Sequence, residues 1–405
     1  MKKKIFRFAL TFLSAVLMLS SFCIFSFAAN AVKRPVITQF TAEPKTKSIT
    51  LSWESQQEAD GYRLYQYSEK KGRYVVLFDD KENTYTLSKL QPGTKYQFAV
   101  KAYIIKENGS KYYSASVKNE CYTKIDKVKN LTLVKSESNK QKISWSEVTN
   151  ADGYEVYYLN ASTGKYKLLG TTKKTCCSFS KLKSAKSYTY KVRAFVNKDD
   201  ETLLYGKYSA TLTAVTKPQD VQKFKAADVT TSSFTLTWEE SEGAQGYKIY
   251  IYNDETGKFE AVKTVKNALS YTVSGLPSGS TYAYKIRSYS TVDSKRYYSA
   301  YSDILAVSTK PEQTTVTQKR DFVGYGTVIL EWTQVQGAAG YLVYVSEHKN
   351  SGFTLKKTVK GGKNVSCKLT SLKNAKPLYV KVKAYILTNG KYTYASNSKL
   401  VTVYA

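Results

Sequence analysis

Leu51-Ser52-Trp53 followed by Gly61-Tyr62-Arg63-Leu64-Tyr65 decides the fold of this chain, because its spacing returns three more times. Trp53, Trp145, Trp238 and Trp332 are the four tryptophans of the 405 residues, and they stand 92, 93 and 94 residues apart. Each opens the pattern W-x7-G-Y-x2-Y, completed at Gly61-Tyr62-x2-Tyr65, Gly153-Tyr154-x2-Tyr157, Gly246-Tyr247-x2-Tyr250 and Gly340-Tyr341-x2-Tyr344. Self-similarity at that period means one module used four times.

Within a module the apolar residues alternate, which is the signature of strands with one buried face. Ile49, Leu51 and Trp53 share one side, as do Phe234, Leu236 and Trp238, and Val328, Leu330 and Trp332. Tyr62 and Leu64 continue the inward set, with Arg63 and Tyr65 on the opposite face. A longer alternating strand follows later, Tyr96-x-Phe98-x-Val100-x-Ala102, echoed by Tyr188-x-Tyr190-x-Val192-x-Ala194 and Tyr282-x-Tyr284-x-Ile286. Gly72, Gly164, Gly257 and Gly352 mark one hairpin, and Asn108-Gly109 and Asn389-Gly390 another, where positive φ favours these residues. No helical period persists beyond the first 31 residues. The chain is all-β, with about seven short strands per module, enough for a two-sheet sandwich.

A lone second-strand tryptophan without a flanking cysteine pair argues against an immunoglobulin domain. The modules instead resemble fibronectin type III domains. The second-strand tryptophan, the G-Y-x2-Y strand and the Leu90-x-Pro92-Gly93-Thr94-x-Tyr96 turn carry the likeness. A Tyr-Ser-Ala closing run and the exits Thr216-Lys217-Pro218 and Thr309-Lys310-Pro311 add to it. The resemblance implies corner tyrosines at Tyr96, Tyr188 and Tyr282 whose hydroxyls bond back to the chain. Leu378 takes that place in the fourth module and cannot do so, which makes that module the least stable. The expected organisation is a signal peptide over 1–31 and modules over 32–124, 125–218, 219–311 and 312–405. Short proline-bearing links predict four tandem seven-stranded sandwiches in an extended rod.

The signal is read from Lys2, Lys3, Lys4 and Arg7 ahead of an uncharged apolar run from Phe8 to Ala29. That run of 22 residues is long enough to span a bilayer, so membrane contact is expected only if it stays uncleaved. Removing it takes four cations from a chain of net charge +30 and leaves +26. Such an excess draws polyanions. Cys121, Cys176, Cys177 and Cys367 do not recur module by module, so no disulfide framework is expected; Cys177 and Cys367 fall at inward strand positions. The bias toward lysine, tyrosine and serine suggests a bacterial exported protein.

Catalysis has little to build on. His348 is the one histidine and falls in a hairpin. The acidic runs Asp79-Asp80, Asp199-Asp200-Glu201 and Glu239-Glu240 read as loop charges rather than carboxyls facing across a cleft. No catalytic residue, metal site or cofactor is expected. The constellation that stands out is an outer face. Tyr65, Tyr157, Tyr250 and Tyr344 point away from the core, beside Lys101, Lys191 and Arg193, Lys285 and Arg287, and Lys381 and Lys383 on the neighbouring sixth strand. Tyrosine planes beside cations suit sugar rings or acidic polymers, although cross-strand pairs of this kind also stabilise a bare sheet. The candidate ligand-binding residues are therefore Tyr65, Tyr157, Tyr250, Tyr344, Lys101, Arg193, Arg287 and Lys383.

These features predict a secreted or cell-surface, monomeric, non-enzymatic adhesion protein. Its expected partners are anionic wall polymers, glycans or extracellular proteins, while nucleic acid is disfavoured for want of a reading element. The alternatives are a passive spacer or matrix component, and an accessory to an extracellular carbohydrate-active enzyme.

Overall fold

The computed structural model describes residues 35–199, 201–319, 324–372 and 376–404; the expected signal over 1–31 lies outside the described residues. The chain divides into two compact units. The first ends at Thr123, and the second, apart from the stretch 91–94, begins at Lys124.

The first unit holds eight strands: β1 (Phe40–Pro44), β2 (Ser48–Trp53), β3 (Gly61–Ser68), β4 (Arg73–Asp80), β5 (Thr84–Ser88), β6 (Lys95–Ile105), β7 (Lys111–Tyr113) and β8 (Val117–Tyr122). β1, β2 and β5 form one antiparallel sheet; β4, β3, β6 and β7 form the other, with β8 also on β6. The second unit repeats this pair of sheets three times. The counterparts of β3 are Gly153–Asn160, Gly246–Asn253 and Gly340–Ser346, and those of β6 are Ser187–Asn197, Thr281–Val292 and Leu378–Thr388. The protein is thus all-β, in tandem sandwiches.

The expected seventh strand is present in two pieces, β7 and β8, and serine explains the break. The Ser114 hydroxyl accepts the Ala102 N–H at 3.0 Å and donates to the Ala115 carbonyl at 2.7 Å. Ser209, Ser299, Ser302 and Ser398 do the same for Val192, Ser288, Ile286 and Val382. A side-chain oxygen replaces a ladder carbonyl, so the strand can bend without orphaning a buried N–H. This is the physical content of the Tyr-Ser-Ala run.

The core of each sandwich is organised on its tryptophan. Alternation along β2 buries Ile49, Leu51 and Trp53, and the same positions are buried around Trp238 and Trp332. Each indole meets the tyrosine nine residues later, with ring centroids 5.6, 5.4, 5.3 and 5.2 Å apart from the first module to the last. The same tyrosine hydroxyl accepts a backbone N–H six residues upstream. Gln56, Val148, Ser241 and Val335 donate at 2.6, 2.9, 2.9 and 3.0 Å to Tyr62, Tyr154, Tyr247 and Tyr341. One side chain therefore fills the core and fastens the loop that joins two sheets. The glycine before it has a separate cause. Gly153 lies directly opposite Phe195 in the register, and a Cβ there would stand 2.6 Å from the ring; Gly246 meets Tyr289 in the same way at 2.7 Å.

Of the corner tyrosines, Tyr188 accepts the Lys183 N–H at 2.8 Å. Leu378 occupies the equivalent register place opposite Val403 and is buried in the core. Cys367 is buried and Cys177 half-buried against its core; both are free thiols.

Replacing Tyr247 by Phe keeps the ring but leaves the buried Ser241 N–H without its acceptor, a loss of about 1–2 kcal/mol. Gly246→Ala drives a methyl into the Val265 carbonyl oxygen and Tyr289 and is expected to cost about 1–3 kcal/mol by overpacking. Amide exchange over residues 241–290 in the full chain reads both, and unchanged protection in the two variants would contradict these assignments.

Candidate outer-face binding site

The outer tyrosines are set by a feature that the alternation does not reveal. In every module the pairing of the third strand with the fourth slips by one residue immediately before the tyrosine, at Leu64/Tyr65, Val156/Tyr157, Ile249/Tyr250 and Val343/Tyr344. The extra residue, Leu77, Leu169, Val262 or Lys356, is on the fourth strand, and such a bulge increases the local twist beside the tyrosine. On the other side the register sets Tyr65 opposite Ala99, Tyr157 opposite Lys191, Tyr250 opposite Lys285 and Tyr344 opposite Lys381.

The second module has the most connected face. The Arg193 guanidinium lies over the Tyr205 ring at 3.6 Å, and the Lys191 ammonium lies over Tyr208 at 3.8 Å and Tyr166 at 3.9 Å. Tyr157 meets Tyr208 edge-on at 5.4 Å. Beneath them is Glu155, only 6% exposed. Its carboxylate accepts from the Tyr157 hydroxyl at 2.6 Å, Arg193 Nε at 2.8 Å and the Tyr205 hydroxyl at 3.1 Å. Burial alone raises a carboxyl pKa, but the hydrogen bonds from Tyr157, Arg193 and Tyr205 outweigh it and hold Glu155 below its ordinary range. Burial and that carboxylate push the Tyr157 phenol well above its usual value.

The third module repeats the ladder without the acid. Arg287 lies over Tyr298 at 3.9 Å, Lys285 over Tyr301 at 3.9 Å, and Arg287 Nε donates to the Tyr250 hydroxyl at 2.9 Å. Tyr250 is 6% exposed, which corrects the expectation of a ring offered to solvent: Tyr301 meets it edge-on at 5.2 Å. Burial, with the Tyr250 hydroxyl donating toward Tyr301, pushes its phenol up to about 12 despite the opposing pull of Arg287.

The first module rearranges the same charges. Arg63 on β3 donates to Asp79 on β4 at 2.6 Å, and Lys111 reaches the other carboxylate oxygen at 2.7 Å. Burial opposes ionisation, yet these bonds hold Asp79 below its ordinary range. Asp79 and Asp80 are therefore the exposed end of a strand and not the loop pair that the sequence suggests. Lys101 stands directly opposite Arg63, and Tyr65 is half-buried beside them. In the fourth module Lys383 lies 5.6 Å over Tyr394, Lys381 4.0 Å over Phe353, and Tyr344 is half-buried.

Tyrosine and cation meet at Tyr157 with Lys191 and Arg193 and at Tyr250 with Lys285 and Arg287, where the rings are turned to the protein's own cations and are not free sugar-stacking planes; Tyr65 lies opposite Ala99, and Lys381 and Lys383 lie over Phe353 and Tyr394. Tyr103, Tyr289 and Tyr385 are buried over the glycines of the third strand. Glu155 and Tyr301 escaped the sequence reading, and Asp79 entered it only as a loop charge. The signal that could have found the acid is the residue two places before the outer tyrosine, which reads Arg63, Glu155, Lys248 and Leu342. Among the described residues no group of histidine, cysteine or acidic side chains is arranged to hold a metal ion.

The family model described as Fibronectin type III domain matches residues 34–119, 126–203 and 216–303, more than half of the chain. The fourth pair of sheets lies beyond these segments. Tenascin from Gallus gallus is 24% identical over 314 residues, covering 76% of this chain and 16% of tenascin. Exoglucanase B from Cellulomonas fimi is 27% identical over 283 residues, 65% of this chain and 24% of the enzyme. The chain spans less than a quarter of the length of these curated relatives. Among solved structures, a two-domain fibronectin type III segment of chicken tenascin is 19% identical, covers 45% of this chain and 98% of its own, and aligns with a TM-score of 0.34.

Because Glu155 is held ionised by folding, its contribution is present above the ordinary carboxylate range and lost as pH falls through its lowered folded value. Glu155→Gln is expected to destabilise the second module by about 2 kcal/mol at neutral pH, since it strands Arg193. The gap between variant and parent should narrow as pH falls below the ordinary carboxylate range and through the lowered folded value. Amide exchange over residues 153–205 measures it, and a gap independent of pH would rule out the carboxylate as its source.

Proposed function

This chain belongs to the fibronectin type III domain family, and from that premise we propose that it is a non-enzymatic, extracellular binding protein whose outer sheet faces contact anionic polymers, glycans or proteins. The observation that carries this reading is the rank of cations at the centre of these faces. Arg63 with Lys101, Lys191 with Arg193, Lys285 with Arg287, and Lys381 with Lys383 occupy one strip of the sheet in successive modules. They belong to a chain of net charge +30. Module limits at 124, 218 and 311 give each strip its own sandwich.

Charge draws polyanions over a Debye length, and the low-dielectric sheet beneath strengthens each contact relative to a solvated loop. The ladder adds order, because a guanidinium or ammonium held over a ring loses little further entropy when an anion arrives. The likeness to Exoglucanase B supports a second reading, an accessory role beside an extracellular carbohydrate-active enzyme. In both readings the faces bind and the chain does not catalyse.

The chain from residue 32 should bind surfaces coated with anionic polymer at about 50 mM salt and at least tenfold more weakly at about 500 mM, concentrations that bracket weak and strong screening. Neutral polymer is the control. Equal affinity at the two concentrations would remove charge as the basis, and no binding at either would leave the spacer as the better reading.

A further inference from the structure

The four outer faces share one plan and differ at the place two residues before the outer tyrosine. In the second module Glu155 stands there, directly opposite Arg193, and fills the donor set of Arg193, Tyr157 and Tyr205. In the first module Arg63 stands there opposite Lys101, and Asp79 on the adjacent strand provides the carboxylate. In the fourth, Leu342 opposes Lys383 and no like charges meet.

The third module departs from all of these. It keeps Arg287, Tyr250 and Tyr298 at the places of Arg193, Tyr157 and Tyr205, but Lys248 stands where the glutamate would be, directly opposite Arg287. The adjacent strand offers Thr264, not an acid. Like charges facing across antiparallel strands are destabilising. Among the described residues no carboxylate pairs with Lys248 or Arg287, whose contacts are the Tyr250 hydroxyl and aromatic rings. A local rule is broken here with no internal compensation, which is the mark of a functional position.

We propose that the outer face of the third module binds an external carboxylate, which takes the role that Glu155 plays inside the second module, and that this carboxylate is borne by an acidic polysaccharide. The inference rests on the reading of the chain as a binder of anionic polymers and names the site and the group. Glu155 is the intramolecular image of the ligand: it shows that an arginine, a bulge tyrosine and a closing-strand tyrosine arranged this way coordinate a carboxylate. Lys248 adds a second cation and vacates the acid's place. The polysaccharide is favoured by the shape of the surface. The site lies on an open sheet, with Lys285 two residues along the same strand as Arg287, about 7 Å away, a spacing suited to successive charges on an extended chain. Tyr301, 43% exposed, borders it.

Lys248→Glu in the chain from residue 32 tests this, because it rebuilds the internal pair of the second module. It should leave thermal unfolding unchanged or raise it, while affinity for polygalacturonate falls about tenfold, the order expected when a desolvated ion pair with the polymer gives way to a repulsion. Lys266→Glu, the same charge change on an exposed turn of that module, should cost less than twofold. Dextran sulfate and polyphosphate serve as sulfate and phosphate probes and should bind more weakly at matched charge. Equal losses in the two variants, or unchanged binding in Lys248→Glu, would overturn the site while leaving the general binding reading intact. Preference for dextran sulfate or polyphosphate would overturn the carboxylate. A parent chain that binds none of the three polymers would remove the proposed function itself.

Discussion

In each module the indole of the second strand meets the phenol nine residues later, and that contact fixes most of what surrounds it. Edge-on aromatic pairs contribute about 0.5–1.5 kcal/mol beyond the area they bury. Here the phenol also accepts a loop N–H, so one residue fills the core and closes a connection. The indole nitrogen of all four tryptophans is buried without a hydrogen-bond partner. With Trp and Tyr placed, the intervening glycine is forced by the aromatic of the neighbouring strand, and the alternation of both sheets follows.

The outer face obeys a different logic. Its side chains are half-buried and mutually satisfied: cations over rings, rings edge-on to one another, and in two modules a carboxylate beneath. The serine-bridged break in the closing strand is what presents two tyrosines to the long strand's cations, as in Tyr205 with Tyr208 and Tyr298 with Tyr301. The ladder is therefore first a stabilising device of the sheet. What varies between modules is whether its charge is neutralised from within, and that variable separates a structural face from one suited to a ligand.

A repeated sandwich gives selection four copies of one surface, and a single strand position is enough to change its chemistry. Glutamate there closes the face, arginine shifts the acid to the next strand, lysine leaves the charge open and leucine removes it. None of these exchanges touches the inward residues on the opposite face, because side chains alternate across the sheet. Stability and the proposed recognition thus fall on opposite sides of the same strand.

The all-β class, the four-fold repeat, the second-strand tryptophan and the inward tyrosine were legible in the sequence, because a period of two residues and a recurrence near 93 are properties of the chain itself. The outer tyrosines and sixth-strand cations were legible as positions for the same reason. Their state was decided only by the tertiary structure. Whether Tyr250 is exposed, whether Arg193 is free, and whether Asp79 is a loop charge depend on bulges and on strands up to some fifty residues away. Alternation tells which face a side chain takes, whereas cross-strand register and three-dimensional packing decide what it meets there.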